Sequence, residues 1–420
     1  MKALRKPVYF TCGDYTVSLG TGRKEFNPKK ERPGLEHYIA EAGKGALAQI
    51  PDAAAIDEGV VGNFMAARFN RQGHLGAMLS LVHPSLEYKP STRVEGACCS
   101  GGLSLASAIK SVLSEQSDVV LSLGLEVQNT VKAIYGADIL AGAGHYAGER
   151  KNGHAYFFPA KFSDRAGAYK ERYGAEKTWA AMGRWYEQAI VNARKNPKAQ
   201  EFHNTTEDLF AAHQAMKPNG KTFCDHINFL DCSKVSDGGA AVLVVSQEGL
   251  AKIGKTKTDA VELVGLGHAV ADLTAAPPDL AVLETTRRAA EQALKMAGIT
   301  VDQVGVFETH DCFTITGILA CEALGLAKRG EGADYVLAGH TRLDGKTPFN
   351  TGGGLVGYGH PTGASGVRMA VDLWKQLTGK AGNYQVRLDP KRPYGLLINM
   401  GGNDKTVVSA VFRKGLPGDN

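Results

Sequence analysis

Short apolar runs alternate along this chain with longer stretches in which apolar residues return every three or four positions. Residues 7 to 12 (Pro-Val-Tyr-Phe-Thr-Cys) predict a first buried strand, Gly34 to Gln49 an amphipathic helix and Asp57 to Gly62 a short strand. Gln72 to Ala77 opens a further helix running toward the 80s. A β-type approach, Thr92 to Gly96, enters the small-residue turn Ala97-Cys98-Cys99-Ser100-Gly101-Gly102. An apolar helix follows, with Leu103, Leu105, Ala106, Ile109, Val112 and Leu113 at roughly helical spacing. Asp118 to Glu126 is a near-continuous apolar run of the kind found in strands covered on both faces. Strands and helices in this alternation predict an α/β fold with a doubly covered sheet.

The pattern changes between about Val131 and Gly220, where Gly, Tyr, His and charged residues mix and Trp179 to Lys195 reads as an amphipathic helix. This stretch predicts an excursion over one face of the sheet, long enough to be functional. Phe229 to Ser246 returns to the core pattern, with Ser233, the turn Ser236 to Ala241 and the strand Val242 to Val245. A second run follows: strand Val261 to Leu266, helix Leu283 to Ala297, and strand Val304 to Thr309 leading into His310-Asp311-Cys312-Phe313 and a helix to about Leu324. Asn350 to Gly354 and Gly357 to Gly366 precede a helix, Val367 to Leu377, with Pro361 placed at its entry. Strand Tyr394 to Ile398 ends in the turn Asn399-Met400-Gly401-Gly402 before a last strand, Thr406 to Phe412. The halves resemble each other in organisation rather than identity. The implied division is residues 1–130 with 221–254, an inserted 131–220, and 255–420.

Composition narrows the class. A chain of 420 residues suits two or three α/β lobes, and 51 glycines suit many tight strand–helix turns. A formal charge of +5 without a Lys/Arg run argues against a nucleic-acid partner. Seven cysteines without framework spacing argue against a secreted disulfide scaffold, and no paired CxxC spacing suggests zinc. The N-terminus lacks an apolar signal core, no apolar run approaches ~18 residues, and Gly415 to Asn420 carries no targeting or lipidation box. The expectation is a soluble, cytoplasmic protein off the membrane.

Against that background the cysteine turn stands out. Cys98 or Cys99 lies at a helix N-terminus, where unpaired N–H groups and the helix dipole favour a thiolate. The plain alternative is a small buried cysteine in a tight turn. His310 follows an apolar strand at its C-terminal end, where α/β sheets build their sites, or else caps a helix. His360 is flanked by glycines, Cys312 is either reactive or core, and Cys321 reads as core. A thiol, two histidines and a second cysteine in sheet-end turns are what a cysteine acyltransferase requires: nucleophile, base or donor, and proton shuttle. Glycine N–H groups at Asn399–Gly402 would serve an oxyanion. A metal reading of the same residues lacks ligand spacing.

These motifs resemble the thiolase superfamily over nearly the whole chain. The Cys98 turn is similar to the family's nucleophile turn, which makes Cys98 rather than Cys99 the nucleophile. Gly359 to Gly366 is similar to the family's Gly-His-Pro-x-Gly-Ala-Ser-Gly motif, which makes His360 the group that activates it. Two departures resemble sterol-carrier-type thiolases: His310-Asp311-Cys312-Phe313 in place of Asn-Glu-Ala-Phe, and Asn399 in place of the proton-shuttling cysteine of a Cys-x-Gly-Gly turn. The resemblance implies Cys312 as acid/base, His310 and His360 as the first oxyanion hole, the N–H groups of Cys98 and Gly401 as the second, and Ser233 against the pantetheine arm. It implies two βαβαβαββ halves in a five-layer αβαβα arrangement, with 131–220 as a loop domain covering CoA. It further implies a homodimer or homotetramer that needs no cofactor, CoA and acyl-CoA being substrates.

The implied reaction is thiolysis of a 3-ketoacyl-CoA through an acyl-Cys98 intermediate, or the reverse condensation. One rival is a Cys-His-His ketoacyl or hydroxymethylglutaryl-type synthase, against which Cys312 argues. Another is a catalytically silent CoA- or lipid-binding scaffold, against which retention of all four groups argues. A third is a thiolase subunit completed by a small zinc-ribbon/OB-fold partner, acting on bulky acyl groups that Tyr135, Tyr146, Tyr156, Phe157, Phe158 and Phe162 would accommodate.

Overall fold

The computed structural model describes residues 4–150 and 153–415, so the expectation for the tail lies, from residue 416 on, outside the described residues. Among these are β1 (Tyr9–Tyr15), β2 (Glu58–Gly62), β3 (Ser91–Val94), β4 (Val119–Glu126), β5 (Gly238–Val245), β6 (Val261–Val270), β7 (Val304–Thr309), β8 (Tyr394–Gly401) and β9 (Thr406–Lys414). They form a sheet of order β3-β2-β4-β5-β1-β6-β9-β8-β7.

This sheet is the same pattern built twice. In the first half β2 runs parallel to β3 and β4, and β5 is antiparallel to β4 and β1. In the second, β7 runs parallel to β8, and β9 is antiparallel to β8 and β6. The place of β3 is taken there by a single parallel bridge, Phe307 to Phe349, whose rings stack at 4.8 Å. The expected third strand of the second half is thus reduced to one residue pair. The halves join where β1 meets β6, through Tyr9 opposite Glu262 and Phe10 opposite Val261.

Helices Ser100–Leu113 and Ser365–Thr378 each pack on strands of both halves, which puts them between the two half-sheets. Helix Leu35–Leu47 covers the outside of the first half and Glu284–Ala297 the outside of the second, completing the five-layer α/β arrangement. In β4, Val119, Leu121, Leu123 and Leu125 face the outer core while Val120 faces the inner one. Both faces are covered, so the strand is apolar without alternation. The central helices meet through glycine: a Cβ on Gly366 would lie 2.4 Å from the Gly102 nitrogen.

Several elements differ from the sequence expectation. The stretch Leu75–Leu81 is 3-10 rather than α-helical, in keeping with the poor helix propensity of its glycine-containing start. β5 begins at Gly238, inside the expected turn, because a Cβ on Gly239 would come within 2.7 Å of the Tyr38 carbonyl of the covering helix. β8 runs on to Gly401, so Asn399 is a strand residue and not a turn residue. Pro361 precedes the helix by a full turn; its carbonyl accepts from the N–H groups of Ala364 (2.9 Å) and Ser365 (3.1 Å).

Between β4 and β5 the chain is helical, with Phe157–Tyr173 and Ala175–Ala193 as its longest helices. The second is amphipathic, as expected: Arg184 and Val191 are exposed, while Trp185 is fully buried and donates to Asp311 of the second half at 3.1 Å. Among the described residues, no helix is long and apolar enough to cross a membrane.

Candidate active site

The turn from β3 into helix Ser100–Leu113 holds a strained residue. Ala97 has φ +55°, a left-handed conformation that costs a non-glycine residue about 1–3 kcal/mol. Ser100 secures it: the hydroxyl donates to the Ala97 carbonyl at 2.6 Å and accepts from the Gly96 N–H at 3.1 Å. Cys99 is the helix N-cap, fully buried, its thiol donating to the Asn399 carbonyl at 3.1 Å. Cys98 instead opens into a cavity of about 840 Å³.

The same cavity collects His310, Cys312, His360, Ser233 and Gly402. The internal repeat explains part of this: His360 lies shortly before the central helix of its half, as Cys98 does before the central helix of the other. The His360 N–H is shared between the Lys234 carbonyl (3.0 Å) and Ser236 Oγ (3.1 Å), and its carbonyl accepts from Gln128 Nε2 at 2.8 Å. Its Nδ1 lies 2.7 Å from Ser365 Oγ, which leaves Nε2 buried without a protein partner. His310, at the end of β7, sets its ring edge-to-face on His360 with centroids 5.0 Å apart. Cys98 Sγ and a ring nitrogen of each histidine all lie within 4.8 Å of one another. Cys312 is held in place by its carbonyl, which accepts from the Ser233 N–H at 2.8 Å, and by the Cys232–Phe313 bridge.

Burial dominates the electrostatics. It pushes the Cys98 thiol up to about 12, with the Glu126 carboxyl adding to the rise and the N–H groups of Gly402 and Cys98 opposing it. His360 is held down to about 3 by burial and then by Arg368. His310 is held well below its usual range by burial, His360 and Arg368, and the Cys312 thiol is raised by burial, Cys98 and Asp311. Burial thus works against the thiolate that the helix N-terminus favours. Cys98 faces a protein-walled cavity rather than bulk water, and the dipole near a helix start is too weak to offset that desolvation. These shifts all favour the uncharged forms, a thiol beside two neutral imidazoles.

The N–H that turns to the Cys98 thiol belongs to Gly402, one residue beyond the Gly401 expected as a donor. Gly401 stays in β8, packed so that a Cβ would lie 2.2 Å from the Gly96 carbonyl. Gly402, at φ +66°, lines the cavity and turns its N–H to the Cys98 thiol. Of the six aromatics expected around an acyl group, Tyr156, Phe158 and Phe162 line the cavity. Phe157 is core, Tyr135 is exposed, and Tyr146 donates to Asp138 at 3.0 Å. Lining residues missed in the sequence include Phe69, Leu140, Phe223 and Phe229, together with Arg32, Lys132 and Lys234. They come from separate segments with no shared motif, so no local signal marked them.

Fold and site together define an α/β enzyme of two repeated halves with a cysteine–histidine centre where the halves meet. The family model described as thiolase, N-terminal domain, matches residues 29–248, and the thiolase C-terminal domain-like model matches 267–414. The chain belongs to the thiolase family and is an acyltransferase. An acetyl-CoA acetyltransferase of Methanothermobacter thermautotrophicus is 35% identical over 382 residues, covering 90% of this chain and 94% of that protein. Human sterol carrier protein 2 is 28% identical over 95% of this chain and 72% of its own length. Among solved structures, an Ltp2-ChsH2(DUF35) aldolase superposes with a TM-score of 0.78 at 19% identity, covering 99% of this chain and all of that one.

Proposed function

We propose that the protein cleaves a 3-ketoacyl-CoA with CoA into two acyl-CoAs, or runs the reverse condensation, through an acyl-Cys98 intermediate. The observation that carries this is the Cys98 thiol next to the unpartnered Nε2 of His360, with a second thiol, Cys312, in the same cavity. His360 Nε2 takes the thiol proton as Sγ attacks the ketone carbon, and the N–H groups of Cys98 and Gly402 receive the developing oxyanion. The carbon–carbon bond breaks, its electrons pass into the enolate of the departing thioester, and His310 and the protonated His360 stabilise that oxygen. Cys312 gives the enolate its proton. The Cys312 thiolate then deprotonates incoming CoA, which takes the acyl group from Cys98, and the departing Cys98 sulfur recovers its proton from His360. Ser233 lies beside the pantetheine arm in this reading.

The test is CoA-dependent cleavage of acetoacetyl-CoA and of longer and aryl 3-ketoacyl-CoAs by wild type, Cys98→Ala and Cys312→Ala. Both substitutions are expected to abolish thiolysis. Full thiolysis by Cys312→Ala would transfer the acid/base role elsewhere and favour a synthase-type Cys-His-His centre.

The aromatic lining of the cavity favours a second reading, in which the acyl group is bulky or aromatic and a small zinc-ribbon/OB-fold partner completes the pocket. Inactivity of the isolated chain on every substrate, with activity restored by such a partner, would select it.

A further inference from the structure

We infer that Asn399 is a positioning residue whose side-chain amide fixes His310 as the tautomer with a bare Nδ1 and a protonated Nε2. The argument is one of donors and acceptors. Asn399 Oδ1 lies 2.9 Å from the Gly102 nitrogen, and a backbone N–H can only donate. Asn399 Nδ2 lies 3.1 Å from the Cys98 carbonyl, which can only accept. These two contacts settle the orientation of the amide, because a flipped amide would set a donor against a donor and an acceptor against an acceptor.

The second hydrogen of Nδ2 then meets His310 Nδ1 at 3.2 Å. That nitrogen must present a lone pair. An imidazole whose Nδ1 accepts a hydrogen bond cannot be the imidazolium, so its single proton sits on Nε2. His310 thereby becomes a donor to the enolate oxygen, while its neighbour His360 keeps an unpartnered Nε2.

Asn399 is fully buried in β8, opposite Val408, and so is rigidly placed. One amide reaches the Cys98 backbone, the start of helix Ser100–Leu113 and the His310 ring, so it ties nucleophile and donor to one frame. An amide transfers no proton at neutral pH, so the residue acts through His310 and not on the substrate. The use made of the His310 donor rests on the thiolase reading; the tautomer does not.

The experiment is ¹⁵N NMR of histidine-labelled wild-type protein near neutral pH, with the His310 signals assigned by their loss in His310→Gln. Nδ1 is expected to resonate as an unprotonated nitrogen and Nε2 as a protonated one. Asn399→Asp keeps the side-chain shape and the acceptor for Gly102 but turns an acceptor toward Nδ1. In it, the His310 proton is expected to move to Nδ1. The thiolysis kcat should fall on the order of 10²-fold, as for loss of an oxyanion donor, with KM nearly unchanged. A wild-type His310 protonated at Nδ1, or an Asn399→Asp enzyme with wild-type kcat, overturns the inference. A wild type that shows the expected tautomer but no thiolysis supports it and removes the thiolase reading instead.

Discussion

At the residue scale, burial favours the uncharged forms of the groups that meet in the cavity. Because burial depresses both histidines, neither titrates near the ordinary imidazole value. Activity should therefore persist as pH falls through about 6.5, and be lost only toward the depressed folded-state value. A pH–rate profile on a preferred 3-ketoacyl-CoA checks this; a limb near 6.5 would contradict it. Ser365→Ala removes the partner 2.7 Å from His360 Nδ1. Its kcat is expected to drop roughly tenfold or more, as for impaired acid–base catalysis, with unchanged thermal stability as the control. The turns that carry His310 and His360 were legible beside apolar runs, whereas the choice of Cys98 over Cys99 and of Cys312 as reactive came only with the thiolase resemblance; the structure brings all four to one cavity. Their protonation states were not legible, since desolvation is set by walls contributed from distant segments. The amide of Asn399 was hidden for the same reason: its partners, Gly102, Cys98 and His310, lie far from it in the chain.

At the element scale, glycine decides how closely the two central helices approach. A Cβ at Gly366 would lie 2.3 Å from Asn399 Oδ1 and 2.4 Å from the Gly102 nitrogen. Gly366→Ala must push the helices apart, so it should cost about 1–3 kcal/mol of stability, as overpacking does, and also lower kcat by disturbing the Cys98 frame. Thermal unfolding and steady-state kinetics on the same preparation test both effects. Strands such as β4 and β7 were readable because unbroken apolar runs signal cover on both faces. The ends of β5 and β8 were misread, because glycine and asparagine usually signal turns. Here they stay in the sheet where a neighbouring helix or turn approaches too closely for a larger side chain.

At the scale of the whole molecule, the second half is braced by buried charge. Arg368 is almost fully buried, paired with Asp372 and 3.5 Å from Glu308. Arg368→Met would leave those carboxyls without their cation and should cost about 3–5 kcal/mol, read as a lower urea midpoint. The doubled architecture was legible as a weak repeat of organisation. The shrinkage of one strand to the Phe307–Phe349 bridge was not, because pairing across a sheet leaves no mark in local sequence.

Strand order has a further consequence for synthesis. β9 lies between β6 and β8, although it follows both in the chain. As the polypeptide leaves the ribosome, the second half-sheet stays open at its middle until Thr406–Lys414 have emerged. The first half can close as soon as β5 has appeared between β4 and β1. A nascent chain thus carries its reactive cysteine long before the histidines and the amide that set it to work are fixed around it. Catalytic competence is expected only once the strand that closes the second half is in place.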